Sequence, residues 1–111
     1  MNKKYIVRKN EEIQEIVHTN NKVFNKYYVL YYKNNDLGFN RYCISVSKKI
    51  GKANVRNLFK RRIKDILMKN NINNSCDYVI ILRTAILDIE YIEMQDELIN
   101  LLKGEKIWKR N

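Results

Sequence analysis

Residues 45–61 read Ser45-Val46-Ser47-Lys48-Lys49-Ile50-Gly51-Lys52-Ala53-Asn54-Val55-Arg56-Asn57-Leu58-Phe59-Lys60-Arg61, and the period of the run changes partway along it. Up to Ser47 the chain alternates. In the strand predicted over Phe39 to Ser47, Tyr42, Ile44 and Val46 fall on one face, and Arg41, Cys43, Ser45 and Ser47 on the other. Lys48 to Lys52, with Gly51 supplying backbone freedom, turns the chain into a helix predicted over Asn54 to Asn70, with Asn54 as its cap. At about 100° per residue, Val55, Phe59, Ile63, Ile66 and Leu67 gather on one side with Leu58 at the margin. Arg56, Asn57, Lys60, Arg61 and Lys64 fill the opposite sector. The apolar side must pack, so the other side projects from the sheet as a positive ridge. The second face of the strand, floored by small and partly polar side chains, forms a shallow groove wherever neighbouring elements stand higher.

Upstream, Asn10 serves as a cap, Glu11 and Glu12 sit in the first turn, and Ile13, Ile16 and Val17 form one stripe, which predicts a helix over Asn10 to His18. Val23 to Lys33 has strand composition, dense in Tyr and aliphatic residues, and Asn34 to Gly38 reads as a turn. Downstream come an Asn-rich loop over 70–75, an apolar strand over Tyr78 to Arg83, and a helix over Ile89 to Lys103 that Gly104 would stop. Tyr91, Met94, Leu98, Leu101 and Leu102 give that helix its apolar face. The order α-β-β-α-β-α is that of an α+β fold, read as a single domain over residues 1–111.

The chain has 111 residues, 45% of them hydrophobic, which suffices for one core without a disulfide or metal staple. Ile, Leu, Val and Tyr recur throughout, unlike a disordered polycation. No apolar run approaches the roughly 20 residues of a membrane span, and the start of the chain lacks the apolar stretch of a signal peptide, so a cytoplasmic protein with no membrane partner is expected. Cys43 and Cys76 are widely spaced and read as reduced thiols, and His18 has no ligand-spaced companion for a metal.

Charge is the informative quantity. With 22 Lys and Arg against 12 Asp and Glu, the formal net charge is +10. Lys48, Lys49, Lys52, Arg56, Lys60, Arg61, Arg62 and Lys64 lie in one stretch without an acid, while Asp88, Glu90, Glu93, Asp96 and Glu97 gather near the last helix. Arg56, Lys60 and Lys64 repel one another at i,i+4 spacing, and an external polyanion relieves that repulsion. Nucleic acid is the first candidate, because cations that neutralise phosphates release condensed counterions. A charge that only maintains solubility is the plainer alternative.

The run from Ser45 to Arg61 resembles the signature of the bacterial ribonuclease P protein subunit, S-V-S-K-K-x-G-x-A-V-x-R-N-R-x-K-R. Tyr28-Val29-Leu30-Tyr31 is similar to the family's F-V-L-Y strand, Asp77-Tyr78-Val79-Ile80 to its D-Y-V-I strand, and the opening helix fits, so the resemblance covers nearly the whole chain. It implies a mixed sheet with an uncommon left-handed β-α-β crossover. It also implies binding to a large catalytic RNA, the partner that with bound Mg²⁺ hydrolyses one phosphodiester and removes the 5′ leader of precursor tRNA. The protein alone is then inactive, and no small-molecule substrate is expected.

By the same resemblance, Arg56, Asn57, Lys60, Arg61 and Lys64 would contact the catalytic RNA and its metal-dependent junction with the leader, and Lys48, Lys49 and Lys52 would extend the strip. The leader cleft maps onto Ile13, Val17, Tyr31, Ser45 and Ser47, with Tyr31 able to stack a base. Its plainer role is a strand aromatic packed on its neighbours. The chain departs from the pattern at three places. Ile13 and Val17 stand where the family often has Phe; Leu58 replaces the second motif Arg, with Arg62 one turn later on the same side; Asn54 replaces Val.

A protein acting as a nuclease by itself would need clustered carboxylates or an acid–base set, and the acids fall mainly on the last helix. A ribosomal or ribosome-assembly RNA-binding protein of similar fold is the main competitor, and the linked strand-turn-helix signature separates the two. A generic DNA binder leaves the groove unexplained, and a membrane-surface role would require the apolar helix face that the core needs. Trp108, Lys109 and Arg110 form either a basic tail or a docked strap.

Overall fold

Cys76–Leu82 is almost continuously apolar because both of its faces are covered, and it forms the centre of the fold. The computed structural model describes the backbone of residues 1–110 and the side chains of residues 1–104. Its elements are α1 (Asn10–His18), β1 (Lys22–Phe24), β2 (Tyr28–Asn34), β3 (Arg41–Ser45), α2 (Ala53–Lys69), β4 (Cys76–Leu82) and α3 (Tyr91–Arg110), with short 3-10 turns at Lys3–Tyr5 and Thr84–Asp88. The four strands lie in the order β1-β2-β4-β3. β2 is antiparallel to β1 and β4, and β3 is parallel to β4, so the sheet is mixed and α2 is the crossover between two adjacent parallel strands.

One sheet face carries Tyr28, Leu30, Tyr42, Tyr78, Ile80 and Leu82, packed against Phe59, Ile63, Ile66 and Leu67 of α2 and Met94, Leu98 and Leu102 of α3. Each such side chain contributes roughly 1.5–3 kcal/mol when fully buried. The buried Tyr28 hydroxyl donates to the Met94 carbonyl at 2.9 Å, which ties β2 to α3 without leaving a polar group unsatisfied. The other face is covered by α1 with Val7 of the segment before it: Ile16, with Ile13 and Val17 beside it, packs with Val7 on Val79, Tyr31, Cys43 and Ile81.

Several expected boundaries shift. Val23 to Lys33 is two strands, not one. The Asn25 amide oxygen accepts from the backbone N–H of Tyr27 and Tyr28 at 2.8 and 2.9 Å, and this Asx turn folds the segment into a hairpin without Gly or Pro. Neither predicted Asn cap forms. Ile13 N donates to Lys9 O at 3.1 Å and Arg56 N to Lys52 O at 2.9 Å, so Lys9 and Lys52 are the cap positions; α1 keeps its expected span, and α2 begins one residue earlier than expected, at Ala53. β3 ends at Ser45, leaving Ser47 in the turn, where its carbonyl accepts from Ile50 N at 3.0 Å. Gly104 does not stop α3; it lacks the left-handed φ of such a stop. The expectation for Trp108, Lys109 and Arg110 concerns side chains outside the described residues.

Candidate nucleic-acid interface

The register of the sheet sorts the α1 face into rows. Tyr31, Val79 and Cys43 align across β2, β4 and β3, and Lys22 of β1 extends that row at Tyr31. The next row toward the C-terminal end of β3 is Val29, Ile81 and Ser45, and the row in the other direction is Lys33, Asp77 and Arg41.

These rows have different fates. Arg41 donates from Nε to Asp77 Oδ1 at 2.9 Å and from Nη2 to Asp77 Oδ2 at 2.6 Å, and Nη2 also reaches Glu12 of α1 at 3.0 Å. The bond to Asp77 pushes the guanidinium pKa further above its ordinary value. Lys33 pairs with Glu15 of α1 at 3.0 Å, so this end of the groove is closed by ion pairs. The middle row is roofed by Ile13, Ile16 and Val17. The third row is open: Val29 and Ile81 are half-buried and Ser45 is exposed. The groove is therefore shorter than the alternation of Arg41, Cys43, Ser45 and Ser47 implies. Arg41 is engaged and Cys43 is packed, which leaves Ser45 as the open part of the β3 floor.

The basic ridge stands beside this floor. Lys48, Lys49, Lys52, Asn57 and Arg61 are exposed, and Arg56, Lys60 and Lys64 are half-buried. Arg56 Nη1 donates to the Gly51 carbonyl at 3.2 Å, bracing the turn that launches α2. Among the described residues, none of these seven cations is paired with a carboxylate, whereas Arg41 and Lys33 are. Burial pushes the Cys43 thiol pKa up, and the positive charge of Lys60 opposes that rise. β3 lies at the end of the strand order and continues through residues 46–52 into α2, so the ridge adjoins the floor at that edge of the sheet.

Leu58 and Arg62, one turn apart on α2, are both half-buried, and the Arg62 guanidinium carbon sits 5.4 Å from the centre of the Phe59 ring. Of the groove residues read from the sequence, Ile13, Val17 and Tyr31 come together in one cluster. Ser45 lies on the same face one row away, and Ser47 lies beyond the end of the strand. Val29 and Ile81 belong to the floor and were not read from the sequence, although the period-2 facing of Val29 with Tyr31 is legible there. Lys22, whose ammonium lies 5.9 Å from the centre of the Tyr31 ring, was also missed.

Among the described residues no three His, Cys, Asp or Glu side chains form a group able to hold a metal ion. The hard oxygen donors near the groove, Asp77, Glu12 and Glu15, are already taken by Arg41 and Lys33, so this face does not fit a Mg²⁺ ion held by the protein alone. No helix is long and apolar enough to cross a membrane.

Residues 1–106 match the family model described as Ribonuclease P. The chain is 41% identical over 110 residues to the ribonuclease P protein component of Mycoplasma mycoides subsp. mycoides, covering 96% of this chain and all of the relative. It is 37% identical over 114 residues to that of a Geobacillus species, covering 100% of this chain and 98% of the relative. Among solved structures, a Staphylococcus aureus RNase P protein mutant with defective mRNA degradation activity is similar at a TM-score of 0.86 and 34% identity, with 94% of this chain and 90% of that one covered. The Thermotoga maritima RNase P protein is similar at a TM-score of 0.82 and 28% identity, with coverages of 88% and 94%.

Proposed function

Because the chain belongs to the ribonuclease P protein family, we propose that it works in removal of the 5′ leader from precursor tRNA, with its basic ridge on the catalytic RNA and its groove on the leader. The protein is a component of an endoribonuclease holoenzyme, and in this reading its part there is binding. Lys48, Lys49, Lys52, Arg56, Asn57, Lys60, Arg61 and Lys64 supply cations and amide groups for phosphates, sugars and base edges. Ile13, Val17, Tyr31, Ser45 and Ser47 supply the leader contacts, with Tyr31 as the stacking platform.

The single observation that carries this reading is that β3, the last strand in the sheet order and the carrier of Ser45 on the floor, runs directly into the turn and helix that carry the ridge. A strand of RNA leaving a structured RNA on the ridge enters the groove without crossing an acidic surface. The open row of the floor has few polar groups, so it grips bases by area and stacking rather than by sequence, as a subunit serving many leaders requires. The carboxylates near the groove, Asp77, Glu12 and Glu15, are held by Arg41 and Lys33, and Mg²⁺ belongs to the RNA in this reading. The competing ribosomal reading has no comparable support from the family match.

Reconstitution tests the proposal. Purified protein is added to a bacterial ribonuclease P RNA at limiting Mg²⁺, and leader release from a precursor tRNA is followed beside protein-only and RNA-only controls. Cleavage at the mature 5′ end by the mixture, with protein alone inert, is the expected result. Binding to the RNA without stimulation of leader removal would overturn it.

A further inference from the structure

Phe24 is the aromatic on this face that the proposed leader cleft does not use. It lies on β1, the edge strand, directly opposite Val29, and therefore belongs to the open row Phe24, Val29, Ile81, Ser45. Val23, its neighbour, is buried with the α2–α3 core, so alternation places Phe24 on the α1 face. Its side chain is not covered there: the residue is 62% exposed, among the largest exposures of any apolar residue described. Phe24 borders a shallow cleft with Asn100, Leu101 and Gly104 of α3, yet that neighbourhood leaves most of the residue open to solvent.

The setting is suited to a nucleobase. Phe24 is two positions along β1 from Lys22, which faces Tyr31, so Phe24 and Tyr31 are diagonal cross-strand neighbours about 7–8 Å apart. Bases of an extended single strand can span that separation. Lys22 stands beside the Tyr31 ring, and Arg83 Nη1 reaches the Asn25 carbonyl at 3.2 Å, next to Phe24 in the chain. Both cations flank the open row. The acids that reach this face, Glu12, Glu15 and Asp77, are all neutralised at the closed end. On the opposite wall the α1 residues packed on the sheet are the aliphatic Ile13, Ile16 and Val17.

We infer that Phe24 is a second stacking platform for the single-stranded leader, extending the cleft from Tyr31 to the edge strand and taking a leader base farther from the cleavage site. The inference rests on the leader-cleft reading above and adds a residue and a length dependence to it. Sequence-tolerant stacking on an aromatic is worth about five- to a hundredfold in affinity per base, and an edge residue belongs in the lower part of that range.

The test measures precursor tRNA affinity of the reconstituted holoenzyme with leaders of two lengths, one ending before and one extending past the Phe24 position. Phe24→Ala, Phe24→Leu and Phe24→Trp are compared, with folding checked by urea unfolding. The expected result is an affinity loss of about tenfold for Phe24→Ala on the long leader and at most twofold on the short one. Phe24→Leu should be intermediate or weak, and Phe24→Trp should restore binding. A wild-type enzyme that prefers the long leader while Phe24→Ala prefers it equally overturns this inference alone. A wild-type enzyme indifferent to leader length overturns the cleft reading and the inference with it. Equal losses on both leaders, or a change confined to self-association of the free protein in sedimentation, overturns the inference by assigning Phe24 to the fold or to a contact between copies.

Discussion

Arg41 and Asp77 are register partners across the parallel pair β3 and β4, and the guanidinium of one grips both carboxylate oxygens of the other, at 2.9 and 2.6 Å. The Asp77 side chain is 9% exposed and that of Arg41 19%, so the pair lies largely out of water. Through Glu12, the same guanidinium holds α1 down on the sheet and fixes the depth of the groove. One ion pair thus connects strand pairing to the geometry of the candidate site.

Among the described residues, removing Arg41 leaves the buried Asp77 carboxylate with the Asn35 amide, at 2.9 Å, as its one remaining side-chain donor. Arg41→Ala should therefore cost about 3 kcal/mol in urea unfolding. Glu12→Gln, which loosens a partly exposed partner, should cost less than about 1 kcal/mol. Amide exchange should separate the two roles, with α1 opening faster in both variants and β4 only in Arg41→Ala. Equal stability losses in the two variants would show that Arg41 does not depend on Asp77.

The turn into α2 is set by close approach. A Cβ placed on Gly51 would come within 3.0 Å of both Cβ and Cγ1 of Val55, in the first turn of the helix, at a backbone φ of 157°. Val55 cannot retreat, because it packs against the core. Gly51→Ala is expected to destabilise the fold by roughly 1–3 kcal/mol and to displace the basic ridge. Val55→Ala removes the Cγ1 contact but keeps the Cβ one, so the double variant Gly51→Ala/Val55→Ala should recover only part of the RNA binding that Gly51→Ala loses. If the double variant is worse on both measurements, steric contact is not the reason for glycine.

Asp65 of α2 accepts a hydrogen bond from the Tyr91 hydroxyl of α3 and another from Lys69. The Tyr91 bond, then the Lys69 bond, hold the Asp65 carboxyl below its ordinary pKa, and the same carboxylate raises the Tyr91 phenol. For Asp65, the folded state resists protonation, so its contribution is present above the unfolded carboxylate pKa and is lost as pH falls through the folded value. For Tyr91 the sign reverses: the contribution is present below the ordinary phenol pKa and is lost as pH rises through the raised one. Tyr91→Phe removes the Tyr91 contribution and the larger part of the Asp65 one, leaving the Lys69 bond in place. The stability difference between wild type and Tyr91→Phe should be constant from about pH 5 to 9 and shrink beyond either end. A difference that persists unchanged into acid would mean that Tyr91 acts by packing alone.

The helical and strand periods made α2 and β3 legible, and an apolar run marked β4, because apolar spacing encodes which side must leave water. Ion-paired closure of the groove was not legible. Arg41, Glu12 and Asp77 are far apart in sequence, and only the parallel register of β3 on β4 brings the first and last together. The hairpin at Asn25 escaped for a similar reason, since its turn depends on a side-chain oxygen rather than on Gly or Pro. Phe24 looked like any strand aromatic until the register showed that its face is open at that end.

The ridge and the groove should respond differently to salt. Lys60 is on the ridge and acts through charge, so Lys60→Ala should weaken binding to the catalytic RNA and flatten the dependence of log affinity on log salt by about one contact. Arg56→Ala should do the same, with an added loss of stability because its bond to the Gly51 carbonyl braces the helix start. Tyr31 contributes a ring and a hydroxyl on the groove face and no charge. Tyr31→Ala should leave the salt slope unchanged, weaken precursor tRNA by about 1–3 kcal/mol, and leave mature tRNA nearly untouched. Tyr31→Phe should retain most of the affinity for precursor tRNA, because the ring carries the contact. Equal losses on precursor and mature tRNA would remove Tyr31 from the leader site. An unchanged slope in Lys60→Ala would place the RNA elsewhere on the protein, and would do so even if the groove prediction held.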